Sequence, residues 1–317
     1  ERSYHGVTVA AASLTGLPVT QNHFDLPVDA LGILRTDHPH YYRGKQGDES
    51  ETEFVDRIVG NLEAMIVREG PETIAAFIAE PITGASGVIV PPEGYYQKVQ
   101  AVLNRYGIMF WADEVITGFG RTGNDFGCTT MAIESPDMMT FAKQLSSAYM
   151  PISASAIRRE MYDAMIEQSA SAGAFGHGYT YSGHPVACAV ALKTLEIYQR
   201  DKIFEKAAVS GAYLQKRLAE FADHPLVGEV RGSGLIGALE LVANKETGEP
   251  FVGGAVGGYA QKMAQDNGLL IRTVAGSCLG FCPPLIITNE QIDEMIEKVA
   301  PALDATLDHC KKENLLR

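Results

Sequence analysis

From about Thr73 onward, short apolar runs alternate with longer stretches in which apolar residues recur at helical spacing, a rhythm that predicts an α/β architecture. TIAAFIAE is apolar on both faces and ends in the charged Glu80. GYYQKVQAVLNRYG then places Tyr95, Val99, Val102 and Tyr106 on one helical face, with Gly107 where a C-terminal glycine belongs. IMFWADEV, MMTFAKQL and PISASAI read as the next three strands. After Pro185 come a small-residue helix, VACAVALKTLEIYQRD, and a more exposed amphipathic one, KIFEKAAVSGAYLQKRLAEFADHP. The texture then changes: VGEVRGSGLIGALELV is glycine-punctuated strand, GYAQKMAQDNGLLIRTV a helix running into strand, and CLGFCPPLIIT a further strand. Thr288 followed three residues later by Gln291 forms a capping-box pattern that opens a long terminal helix. The pattern divides the chain into a large domain over residues 1–199 and a smaller α+β domain over 200–317.

Three charged residues fall at the ends of successive strands: Glu80, Asp113 and Lys143. An unpaired buried ion costs several kcal/mol, so apolar strands normally exclude them. In open α/β sheets, ligands bind beyond the carboxyl ends of the strands. The three positions therefore mark a candidate site.

WADEVITGFGRTG carries Gly118, Gly120 and Gly123 in the Gly-x-Gly-x-x-Gly spacing of a dinucleotide loop. Gly127 and Pro136 interrupt the helix that should follow, and Asp113 and Glu114 would meet a pyrophosphate with negative charge. The glycines are expected instead to let the chain turn sharply after Asp113, so that loop and ligand approach closely, with Arg121 structural.

Composition narrows the partners. Lys and Arg total 26 against 39 for Asp and Glu, and a net charge of -13 disfavours nucleic acid. No apolar run reaches the ~20 residues of a membrane span and no signal peptide is visible, which makes the cytoplasm the expected location. The five cysteines contain no Cys-x-x-Cys pair and fit a reducing compartment; Cys278 and Cys282 read as core thiols. His38 and His40 flank Pro39 and read as a surface turn, and no metal is implied. The chain opens at Glu1 without a methionine and is expected to be a fragment.

A carboxylate and a lysine at neighbouring strand ends suit pyridoxal 5'-phosphate. Its aldehyde needs a lysine amine, supplied by Lys143, and its ring nitrogen stays protonated when it faces a carboxylate, here Asp113. The segments SYHG, AEPITGASG, FWADEVITGFGRTG, TFAKQLSS and GYTYSGHP, in that order, resemble class III, fold type I aminotransferases over almost the whole chain. TYSGHPVACAVAL and GLLIRTVAG with CPPLIIT are most similar to the ω-amino acid or amine:pyruvate branch. The resemblance implies an α/β fold with a mostly parallel central sheet flanked by helices and a smaller C-terminal α+β domain.

It also implies roles. Lys143 would carry the cofactor and shuttle the proton, Asp113 would pair with the pyridinium, and Val115, on the same strand face, would back the ring. Tyr4 would stack on the opposite ring face, with His5 and Gly6 shaping the turn. Thr180 would reach the phosphate of the neighbouring subunit's cofactor, so a homodimer with shared active sites is implied, with a tetramer left open. Arg272 would hold a substrate carboxylate, and Glu80 would neutralise that arginine or line the pocket. The family's glycine-serine phosphate turn lies upstream of the Tyr-His-Gly segment, before this chain starts, and residues 84–87 follow the wrong strand to replace it. The implied reaction moves an amino group from an amine or ω-amino acid donor to a small keto acid such as pyruvate. An aminomutase or racemase of the same fold, and a non-catalytic dimeric relative, remain open alternatives.

Overall fold

A computed structural model describes all residues, 1–317. Four strands form the first sheet: β1 (Ala76–Ala79), β2 (Met109–Asp113), β3 (Met138–Phe141) and β4 (Ala154–Ile157). They lie side by side in chain order, β1 to β3 parallel and β4 antiparallel to β3. The sheet is thus mostly parallel, and its first three strands end on the same side, as a shared ligand site requires.

Two helices cover these strands, and their sequences explain why. Glu51–Glu69 begins at Ser50, whose hydroxyl accepts from the Glu53 amide while the Glu53 carboxylate accepts from that of Ser50. It buries Phe54, Val55, Ile58, Leu62 and Ile66, one face at three- and four-residue spacing. Tyr95–Tyr106 buries Tyr95, Val99, Val102 and Leu103 and stops at Gly107, which takes the left-handed conformation (φ 67°) expected of a C-terminal glycine. Both faces meet Phe110 and Ala112 of β2 in one apolar cluster.

The second sheet comprises β5 (Val227–Ser233), β6 (Ile236–Asn244), β7 (Glu249–Pro250), β8 (Arg272–Val274) and β9 (Cys278–Phe281). Its order is β5-β6-β9-β8, with β7 beside β6 and every pairing antiparallel. Helices Ile203–Ala219, Ala255–Asp266 and Asn289–Lys312 pack around it. The last opens with the capping box read from Thr288 and Gln291, both reciprocal bonds being present. Ala191 and Tyr198 of helix Pro185–Arg200 join the second sheet's core, while two separate sheets support the division near residue 200 that we propose.

Three expectations change. The strand expected over CLGFCPPLIIT ends at Phe281, because consecutive prolines at 283 and 284 cannot continue the ladder. Cys278 is buried, but Cys282 is exposed. The His38–His40 segment is no surface turn. His40 is buried, its Nε2 lying 2.9 Å from Glu229 Oε2 of β5, and burial drives the His38 imidazole down to a pKa of about 3. Around them Arg231 pairs with Glu229 and Glu240 at 2.5 Å each, Arg43 reaches Glu240 at 2.6 Å, and Arg231 Nε donates to the Gly87 carbonyl at 2.8 Å. Polar letters in a Pro-containing stretch concealed an ionic network whose partners lie some 190 positions away; His40 and Glu229, for example, are 189 residues apart.

Candidate active site

Asp113 is the last residue of β2 and is 4% exposed. Its Oδ2 lies 2.7 Å from His5 Nδ1, and Oδ1 accepts from the Val115 amide at 3.0 Å. A carboxylate only accepts, which puts the His5 proton on Nδ1 and leaves Nε2 buried without a partner. His5 is itself fixed by its own amide, which donates to Thr15 Oγ1 at 2.9 Å. His5 therefore does more than shape a turn: it orients the carboxylate. A histidine next to Tyr4 was visible in the sequence, but its partner is 108 residues away and no local signal points to it.

Val115 lies where the strand has already ended. β2 stops at Asp113, and residues 115–120 form turns, so Val115 does not share a strand face with Asp113. The physical reason is the bond from its own amide back to the Asp113 side chain, which closes a tight Asx-type turn.

Lys143 stands two residues beyond the end of β3 and opens a short 3-10 turn with φ 40°. Its amine makes no hydrogen bond or ion pair and opens on a cavity of about 1270 Å³, shared with Tyr4, Gly84, Ile116, Arg272 and Cys282. Enclosure by protein lowers its pKa, while the Asp113 and Glu80 carboxylates pull the other way. A lysine with a lowered pKa and no partner is a ready nucleophile toward a carbonyl.

Arg272, at the start of β8, is exposed in the wall of that cavity and has no side-chain partner. Glu80 does not neutralise it. Glu80 is 4% exposed, and its two oxygens accept from the backbone amides of Tyr4 at 2.8 Å and Gly84 at 2.9 Å. Burial, against those two hydrogen bonds, pushes its pKa up to about 7. Thr180 lies outside this cavity, in an exposed turn between Tyr179 (77% exposed) and Tyr181 (79%). Gly6 takes φ 126° beside Ala11, a conformation that a side chain would strain.

Two glycines of ITGFGRTG pack close against helix Ile203–Ala219, Gly120 at Phe204 and Gly123 at Ala208, while Gly118 lies against the Glu114 carbonyl of its own loop. Gly120 has φ 92°, and a Cβ there would sit 2.6 Å from the Phe204 ring. Arg121 beside it is 4% exposed and donates to the carbonyls of Leu235 (2.9 Å) and Pro283 (2.6 Å), tying the loop to the second sheet. Glu114, fully buried, accepts from the Gly127 and Cys128 amides and from the Thr117 hydroxyl.

These residues fit pyridoxal 5'-phosphate: a free amine on a cavity, a buried carboxylate held by histidine, and an aromatic residue in the cavity wall. The Gly84 amide is committed to Glu80.

Comparison with known proteins agrees. The family model described as aminotransferase class-III, whose members use pyridoxal phosphate, matches residues 1–303. "Gamma aminobutyrate transaminase 3, chloroplastic" of Solanum lycopersicum is 49% identical over 306 residues, covering 96% of this chain and 58% of the relative. The "Probable gamma-aminobutyrate transaminase 3, mitochondrial" of Oryza sativa subsp. indica is likewise 49% identical, over 96% of this chain and 59% of its own length. Among solved structures, the ω-transaminase of Pseudomonas jessenii in complex with PMP superposes with a TM-score of 0.94 at 49% identity, covering 97% of this chain and 67% of that one. The chain thus spans 58–59% of the length of these curated relatives. The chain belongs to the class-III aminotransferase family.

Proposed function

We propose that the chain forms the lysine-bearing part of an aminotransferase that takes an amino group from an amine or ω-amino acid and passes it to a small keto acid such as pyruvate, in two half-reactions of ping-pong type. The relatives named for γ-aminobutyrate make that compound a first donor to try. The observation that carries the reading is the unpartnered Lys143 amine on the cavity wall, close enough to the Asp113 carboxylate to feel its charge.

When bound, pyridoxal 5'-phosphate supplies an electron sink for the pair left as the donor carbon loses its proton. Asp113, held by His5, would keep a proton on the ring nitrogen, and Tyr4, in the cavity wall, would pack on the ring. The Lys143 amine, on the cavity wall, would take the proton from the donor carbon and return it. Arg272 binds a carboxylate by a bidentate pair, and its freedom from any internal ion pair leaves it available. The exposed Tyr179–Tyr181 turn supports a homodimer in which Thr180 reaches the partner's site. No helix is long and apolar enough to cross a membrane; a cytoplasmic location is part of this proposal.

The test is direct. Protein incubated with the cofactor should gain a visible absorbance band that a donor amine displaces, with amino transfer to pyruvate; Lys143→Ala should gain neither. Equal behaviour of the two proteins would sink the reading.

A further inference from the structure

Glu80 is a carboxylate whose two oxygens are spent on backbone amides far apart in sequence. Oε1 accepts from Tyr4, 76 positions away, and Oε2 from Gly84. Tyr4 and Gly84 line the same cavity as Lys143. Its own main chain is tied as well, its carbonyl accepting from the Tyr96 hydroxyl at 2.6 Å. Space at the Gly84 turn is closed, for a Cβ there would run into Ile116 Cδ1, another cavity residue. One residue further along the chain, His5 is held in parallel fashion by Asp113 on the adjoining strand. Consecutive residues of one turn are therefore each pinned by a carboxylate at the end of a neighbouring strand.

We propose that Glu80 is a positioning residue: by bridging the Tyr4 amide to the Gly84 amide it sets the separation of two cavity walls between which the cofactor ring would lie. Glu80 touches no reacting atom and leaves Arg272 unpaired. The inference rests on the aminotransferase reading for what the cavity holds. Ionised, the side chain has acceptors for both amides; protonated, one oxygen becomes a donor and the bridge weakens. Because burial pushes this carboxyl up to about 7, the bridge is poised near neutrality. The groups that face it and shape that titration are Asp113 on β2, His5 and the Lys143 amine beyond β3, with the Tyr96 hydroxyl from helix Tyr95–Tyr106.

Glu80→Gln keeps size and one acceptor but turns an N–H toward the other amide. In the full-length protein, cofactor affinity measured by titration should fall about tenfold, as for loss of one charge-assisted hydrogen bond. The visible circular dichroism of the bound cofactor, which reports ring orientation, should change, while Thr288→Ala, at the cap of the terminal helix and away from the cavity, should leave both unaltered. Unchanged affinity and an unchanged spectrum in Glu80→Gln would overturn the proposal. Should that variant fail to fold, amide hydrogen exchange of the unliganded wild type decides. Protection at Tyr4 and Gly84, corrected for intrinsic rates, should decline together as pH falls through about 7; independent or pH-insensitive protection overturns it. If the wild type binds no cofactor, the aminotransferase reading falls, and the exchange experiment still judges Glu80.

Discussion

Arg231→Met is the perturbation that the ionic network makes most informative. The Arg231 side chain is 7% exposed and Glu240 10%, so their 2.5 Å pair is out of water. Removing one member of a buried pair leaves the other's charge uncompensated, typically at a cost of about 3–5 kcal/mol. Two neighbours moderate this: Arg43 still pairs with Glu240, and His40 still sits 2.9 Å from Glu229. The expected loss is therefore at the lower end, about 3 kcal/mol. Urea unfolding followed by fluorescence and circular dichroism would measure it for the wild type, Arg231→Met, Glu240→Gln and the double variant. Removing both members leaves fewer orphaned charges, so the double variant should be less destabilised than the sum of the singles by about 1–3 kcal/mol. A loss below about 1 kcal/mol with additive single effects would refute the view that this is one coupled, desolvated network. Because Arg231 also holds the Gly87 carbonyl, exchange protection should fall in residues 84–88 as well.

Further outcomes follow from other sites. Since burial raises the Glu80 carboxyl from 4.5 to about 7, the folded state prefers it protonated; that stability, up to about 3 kcal/mol, is full below about pH 4.5 and lost as pH rises through 7. Unfolding free energies from pH 5 to 8 should carry this decline in the wild type and lack it in Glu80→Gln; parallel curves would refute it. Gly120→Ala should cost about 1–3 kcal/mol, through its positive φ and the Phe204 contact, and should lower the melting temperature. Thr288→Ala removes the side chain that accepts from the Gln291 amide and should cost about 1 kcal/mol, seen as earlier unfolding of the terminal helix. Arg272→Leu should raise KM for the keto acid at least tenfold and leave that for a carboxylate-free amine nearly unchanged, as steady-state kinetics would show.

Local pattern revealed most of the framework. Apolar runs located β1 to β4, Gly107 and the Thr288–Gln291 pair marked helix ends, and the strand-end charges pointed to Glu80, Asp113 and Lys143. What stayed hidden depends on long-range pairing. That Glu80 faces Tyr4 rather than Arg272, that Asp113 is gripped by His5, and that His40 is buried against Glu229 are facts about which distant backbones meet. Turn geometry was the other blind spot. The period of two that aligned Val115 with Asp113 presumed a strand that an Asx-type bond had already ended.

Lys143 itself has a consequence for how the molecule could change under selection. Its φ of 40° lies in the region that residues with a Cβ enter only at a cost, on the order of 1 kcal/mol or more. Glycine would sit there without strain, so Lys143→Gly should make the fold more tolerant of heat while ending any chemistry. Lysine at this position trades part of the fold's stability for an amine on the cavity wall.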